Sequence, residues 1–275
     1  MTRAWSGRFL WMCLAAGAAA FTAAGAGAPT SAAQTPAAKG QTKSPAVSGA
    51  GAAGTTATPT VDQLLARYVK AIGGREAWEK LHSRTSLGTI VVPSMNLEGT
   101  VMIHEKAPNK VLLVVMLAGQ PFRQGYDGKN GWSDDPTDGT KDKTGAQLAE
   151  AARDADFYRP LHMQATYTKL TIMGEEEVGG KKAWVVQADL PEGGADKIYF
   201  DEESGLIVRA VSQQHSDQGV VAVAEDFKDY REVDGVMLPF EVLQVNGDSA
   251  LTIKLGEVHH NVELEDSEFA KPAVQ

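Results

Sequence analysis

Val101-Met102-Ile103-His104, a turn signal at Pro108-Asn109, and then Val111-Leu112-Leu113-Val114-Val115-Met116-Leu117 decide how this chain folds. The first run alternates with the period of a half-buried strand. The second is apolar at every position, so both of its faces must be kept from water. One face can pack on helices or on the concave side of a sheet. The other needs a cover of its own: a second layer of the protein, a partner, or an apolar ligand.

Working outward, alternation recurs in Trp184-Val185-Val186-Gln187, in Ile198-Tyr199-Phe200 and in Leu251-Thr252-Ile253-Lys254-Leu255. Asp127-Gly128, Gly179-Gly180, Glu203-Ser204-Gly205, Asp234-Gly235 and Asn246-Gly247 punctuate these runs as turns. Most gaps between turn signals are too short for a crossover helix, which makes neighbouring strands antiparallel. Helices are few. Thr60 and Gln63 form a capping-box pair ahead of Val61, Leu64, Leu65, Tyr68, Val69 and Ile72, and Gly73-Gly74 stops that run. A short helix with Trp78 and Leu81 follows, and Thr144–Asp156 reads as another with a stripe of Leu148, Ala152 and Ala155. The expectation is an α+β, mostly β fold: a single curved antiparallel sheet of about ten strands wrapped around a few helices.

The first 59 residues differ in kind. Arg3 and Arg8 precede an uncharged run from Phe9 to Phe21, and Ala24-Gly25-Ala26 and Ala26-Gly27-Ala28 both fit a small-x-small cleavage site. Residues 1–28 therefore read as an export signal, either cleaved or retained as an anchor. Residues 29–59 are Ala, Gly, Thr, Ser and Pro with Lys39 and Lys43 the sole charges, a composition expected to stay disordered as a linker. Its Gly49-Ala50-Gly51-Ala52-Ala53-Gly54 matches a dinucleotide fingerprint, but no strand leads into it and no helix follows directly. The folded domain is expected over residues 60–275, in a periplasmic or otherwise exported protein.

Charge and chemistry exclude several functions. The net charge is −9, and loss of Arg3 and Arg8 with the leader makes it more negative still, which disfavours nucleic acid and anionic lipid surfaces. The one cysteine, Cys13, lies in the leader, so the mature chain has no thiol for a disulfide, a metal or nucleophilic catalysis. No G-x-S-x-G elbow and no H-E-x-x-H occurs. His260 and Glu263 are spaced for a helix, yet the pattern before them is that of a strand, where His259 and His260 point apart. Glu175-Glu176-Glu177 reads as a solvated strand end. No cofactor, metal or catalytic residue is assigned. A hydrolase using two carboxylates that meet in space stays open, although no pair stands out.

Three segments carry a resemblance. Tyr126-Asp127-Gly128-Lys129-Asn130-Gly131-Trp132 is one. The second runs from Ile198-Tyr199-Phe200-Asp201 through Gly205-Leu206-Ile207-Val208-Arg209, and the third from Asp229-Tyr230-Arg231 through Asp234-Gly235-Val236-Met237-Leu238-Pro239-Phe240. Together they resemble the outer-membrane lipoprotein-sorting superfamily, the LolA/LolB-like fold. That resemblance implies an unclosed barrel around helices, with an apolar cavity that shelters acyl chains. Pro239 fits an edge position or a strand's first residue. The methionines Met95, Met102, Met116, Met163, Met173 and Met237 fall in or beside expected strands, as core filling or as an adaptable lining. Met102, Leu113, Val115, Phe122, Trp132, Leu148, Met163 and Trp184 are the candidate lining residues. The reading is a non-enzymatic envelope protein that shields a lipid, an acyl chain or a lipoprotein. The alternative is a structural module that binds an envelope protein along a strand edge.

Overall fold

The computed structural model describes residues 58–216, 219–247 and 249–273. The expected leader, nearly all of the expected linker and Cys13 lie outside them. Thirteen strands form one antiparallel sheet: β1 (Ser83–Val92), β2 (Leu97–Lys106), β3 (Lys110–Leu117), β4 (Gln120–Tyr126), β5 (Gly131–Asp135), β6 (Gly139–Asp142), β7 (Lys169–Val178), β8 (Lys181–Asp189), β9 (Ala195–Asp201), β10 (Ile207–Ser216), β11 (Gly219–Val233), β12 (Val236–Asn246) and β13 (Ser249–His260). The helices are α1 (Val61–Ala71), α2 (Arg75–Trp78), α3 (Gly145–Asp154) and α4 (Met163–Thr166). Two of the strands beyond the expected ten or so are β4 and β6, whose sequences QPFRQGY and GTKD carry no apolar alternation.

The strand order is β6-β5-β4-β3-β2-β1-β13-β12-β11-β10-β9-β8-β7. Every neighbour is also a sequence neighbour except β1 and β13, and β6 and β7 are the free edges. Helix α3 fixes the curvature. It packs against β4 and β5 on one side and β10 on the other. A flat sheet would hold β4 and β10 roughly 34 Å apart at ~4.8 Å per strand, whereas ten helical residues span roughly 15 Å. The sheet must therefore curl until its two halves face each other, without closing.

Sequence sets the other helices in place. The capping box exists: Thr60 N–H donates to Gln63 Oε1 at 2.8 Å and Gln63 N–H to Thr60 Oγ1 at 3.2 Å. Helix α1 buries Leu64, Leu65 and Tyr68. Beyond its end, Gly73 (φ 105°) abuts the β11–β12 turn so tightly that a Cβ would lie 2.1 Å from the Gly235 carbonyl oxygen. At that turn Asp234 and Gly235 both have positive φ, the geometry of a type I′ hairpin. Pro239 has the expected edge character: it lies inside β12 opposite Tyr230, but β13 pairs with β12 only from Glu241 onward, so no ladder donor is required of it on that side.

The all-apolar strand finds both of its covers within the protein. Leu113, Val115 and Leu117 face inward. On the outer face Leu112 clusters with Trp132 and Phe269, flanked by Val114 and Leu264. Residues 264–269 thus act as a small second layer. Trp132 Nε1–H donates to the Phe269 carbonyl at 2.8 Å, and Gly125 leaves room for the indole, since a Cβ there would sit 2.6 Å from the ring. Lys106 and Lys110 both reach Asp266 at 2.7 Å, and their hydrogen bonds lower its carboxyl pKa to about 2.

Candidate functional site

The inner face carries two apolar clusters of different construction. The first joins helices to sheet. Leu64 and Tyr68 of α1, Ile72 just past its end, Trp78 of α2 and Met163 of α4 pack on Trp184, Val186, Phe200, Leu238 and Phe240. Arg84 underlies it, bonded to Glu105 at 2.6 and 2.7 Å with its guanidinium about 6 Å from the Trp78 and Phe157 rings. The second cluster, among the described residues, draws on no α-helix. Ile90 and Val92 (β1), Val101 and Ile103 (β2), Leu113, Val115 and Leu117 (β3), Val223 (β11) and Leu251 and Ile253 (β13) form it, with Phe122 and Val221 at its margin. It is a wall made by strands, with Met95 of the 3-10 turn Pro93–Met95 packed against it.

A polar band lies beside this wall, and α3 contributes much of it. Of the expected stripe of Leu148, Ala152 and Ala155, the first two are half-buried and Ala155, at the helix cap, is buried; within the helix itself Glu150 is the buried residue. Strand β9 has no partner on β10 beyond Val211, and Glu150 takes over there, accepting from the His215 backbone N–H at 3.2 Å and meeting His215 Nδ1 at 3.2 Å. Asp154 pairs with Arg159 at 2.6 Å, and Tyr167 donates to Asp196 at 2.9 Å. Gln244 of β12 donates to Glu225 of β11 at 3.3 Å. Burial raises the Glu150 and Asp196 carboxyls and lowers the Lys143 ammonium. Glu225 is pushed up to about 7, by desolvation first and by the Asp154 charge second.

Between α3 and strands β3 and β4 lies a cleft lined by Val111, Leu113, Gln124, Tyr126, Lys143 and Asp154. Its free space is about 20 Å³, room for roughly one water. An alkyl chain enters here only if α3 or its side chains give way.

The eight candidates divide four ways. Leu113, Val115 and Phe122 come together on the sheet-made wall, and Met163 and Trp184 in the helix-backed cluster. Leu148 sits over β5, where a Cβ on Gly131 would come within 3.2 Å of its Cδ1. Trp132 belongs to the outer cluster. Met102 is on that outer side too, because its neighbours Val101 and Ile103 point inward. Sequence reasoning missed Glu150, Asp154, Glu225, Gln214 and Gln244. A signal existed for one of them: Val236, Leu238, Phe240, Val242 and Gln244 share one register, so Gln244 inherits an inward position.

His259 and His260 occupy opposite sides of β13; His260 bonds Asp234 at 2.9 Å and His259 lies toward Glu257. Glu175, Glu176 and Glu177 are exposed on the edge strand β7.

An unclosed antiparallel barrel with helices against its inner face is the LolA/LolB-like fold. Two solved structures share it. A LolA superfamily protein from Nitrosomonas europaea is 11% identical with a TM-score of 0.51, over 78% of this chain and 99% of its own. A DUF1329 family protein from Desulfovibrio piger is 13% identical with a TM-score of 0.52, over 78% of this chain and 98% of its own. No protein-family model matches the sequence, and no curated protein matches it.

Proposed function

We propose that this chain is an exported, non-enzymatic protein of the cell envelope that shelters the apolar part of a lipid or lipidated partner against the inner face of its sheet. The observation that carries this reading is the buried wall formed by Ile90, Val101, Leu113, Val115, Leu117 and Ile253, an apolar cluster to which no α-helix among the described residues contributes. The leader pattern of residues 1–28 and the shared fold agree with it. Sequestration needs no catalytic group; each methylene removed from water is worth ~0.8 kcal/mol. Because the cleft at Leu113 has room for little more than a water, uptake requires displacement of α3.

Delipidated protein titrated with a fluorescent fatty-acid probe tests the reading. Uptake is expected, with a loss of about tenfold or more in Leu113→Arg, which places a charge on the wall. Probe uptake that is absent, or unchanged in a folded Leu113→Arg protein, overturns it.

Glu225 favours a second reading. A carboxyl held near neutrality in a polar interior, close to Asp154, is the kind of group a carboxylate-dependent hydrolase uses. A saturable turnover in a hydrolase screen, lost in Glu225→Gln, would establish it.

A further inference from the structure

We infer that the inner face of β10, at Gln214 and Ser212, is the seat for the head of an amphiphile, and that this head is uncharged and carries hydroxyl groups. The inference rests on the sheltering function proposed above and specifies its ligand. Gln214 is fully buried, and neither its Oε1 nor its Nε2 has a hydrogen-bond partner. Two residues earlier on the same face, the Ser212 hydroxyl is buried and equally unpartnered, as is Gln244 Oε1 on β12. Buried polar groups are almost always paired, and leaving one unmet is costly, so the adjacent Gln214 and Ser212 mark a place where something else binds.

Their position relative to the apolar wall is specific. Gln214 stands opposite Val221 and Ser212 opposite Val223, and both valines belong to the sheet-made cluster. A head at Gln214 and Ser212 would let its tail run over Val223, Leu251 and Ile253 toward Val115. Consecutive inward residues of a strand are roughly 7 Å apart, within reach of a glycerol-sized head.

The donor and acceptor inventory sets the chemistry. Gln214 Oε1 requires a donor from the ligand, and Gln214 Nε2 requires an acceptor. A carboxylate or an ester only accepts. A hydroxyl does both. Charge is unwelcome: Glu150 beside Gln214 repels an anionic head, and because its carboxyl is already engaged by the His215 N–H and ring, as Asp154 is by Arg159, neither is free to pair with a cationic one.

The test displaces a fluorescent fatty acid from the delipidated full chain with 1-oleoylglycerol, oleate and methyl oleate, which share one tail. 1-Oleoylglycerol is expected to compete at about tenfold lower concentration than the other two, the worth of one or two well-made hydrogen bonds. Gln214→Leu, checked for folding by circular dichroism, should erase that preference while leaving methyl oleate unchanged; Ser212→Ala should erase part of it. Equal competition by all three means that water alone fills the site, and overturns the inference while the sheltering function stands. A preference that survives in both variants also overturns it. If none of the three competes and the probe itself fails to bind, the sheltering function falls and the head site with it.

Discussion

Glu225 ties stability to pH with a defined sign. Its folded pKa, about 7, lies above the ordinary 4.5, so the native state holds a proton that the unfolded chain releases. Below pH 4.5 both states are protonated and burial of the carboxyl is not penalised by ionisation. As pH rises toward 7 the unfolded state is increasingly favoured, and above 7 the full penalty remains. The side chain is only half-buried by area, so the penalty is set at about 2 kcal/mol, below the value the whole shift would imply. Urea midpoints measured from pH 5 to pH 8 should fall more steeply in the wild type than in Glu225→Gln, by about that amount. Parallel pH profiles would mean that Arg159 and the Gln244 hydrogen bond hold the carboxyl near its usual range after all.

At the scale of the element, residues 264–269 behave as a clasp on the outer face of β3 and β5. Phe269 is fully buried against Trp132 and Leu112, and its own carbonyl accepts the indole N–H. Phe269→Ala is expected to cost about 3–5 kcal/mol, the range for truncating a buried aromatic. It should also shift tryptophan emission to the red as Trp132 meets water, whereas unchanged emission would mean that the indole is covered from elsewhere. The same element explains what the sequence could and could not reveal. Val111–Leu117 announced two buried faces, which is what the strand has, because continuous apolarity is a local property. Nothing local in Leu264 to Phe269 says where that segment docks, so Trp132 read as a lining residue when it is an outer-face anchor. The α1 cap and the turns were legible for the same local reason. The inward Gln214 and Glu225 were not: in β10 and β11 polar and apolar residues share the inner register, which defeats an alternation test.

Across the whole molecule, one pairing has a different status from the rest. Eleven of the twelve strand contacts join consecutive strands, while β1 meets β13 across most of the folded chain, with Ile90 directly opposite Ile253. Hairpins form cheaply, but bringing β1 to β13 requires closure of a loop of more than 150 residues. The β1–β13 contact is therefore expected to be made in the folding transition state. Ile253→Val should cost about 1 kcal/mol and slow refolding by about fivefold with little change in unfolding. A chevron in which the unfolding limb alone moves would place that seam after the barrier.

The same seam divides the molecule into separable halves. A chain nicked between Asp142 and Gly145 keeps every hairpin intact on one fragment or the other, since β1–β6 lie upstream and β7–β13 downstream. Two such pieces, produced separately, retain one shared strand border and the grip of α3 on β4 and β5 through which to reassemble. The architecture is thereby suited to fragment complementation, with recovery of the whole reporting the meeting of its parts.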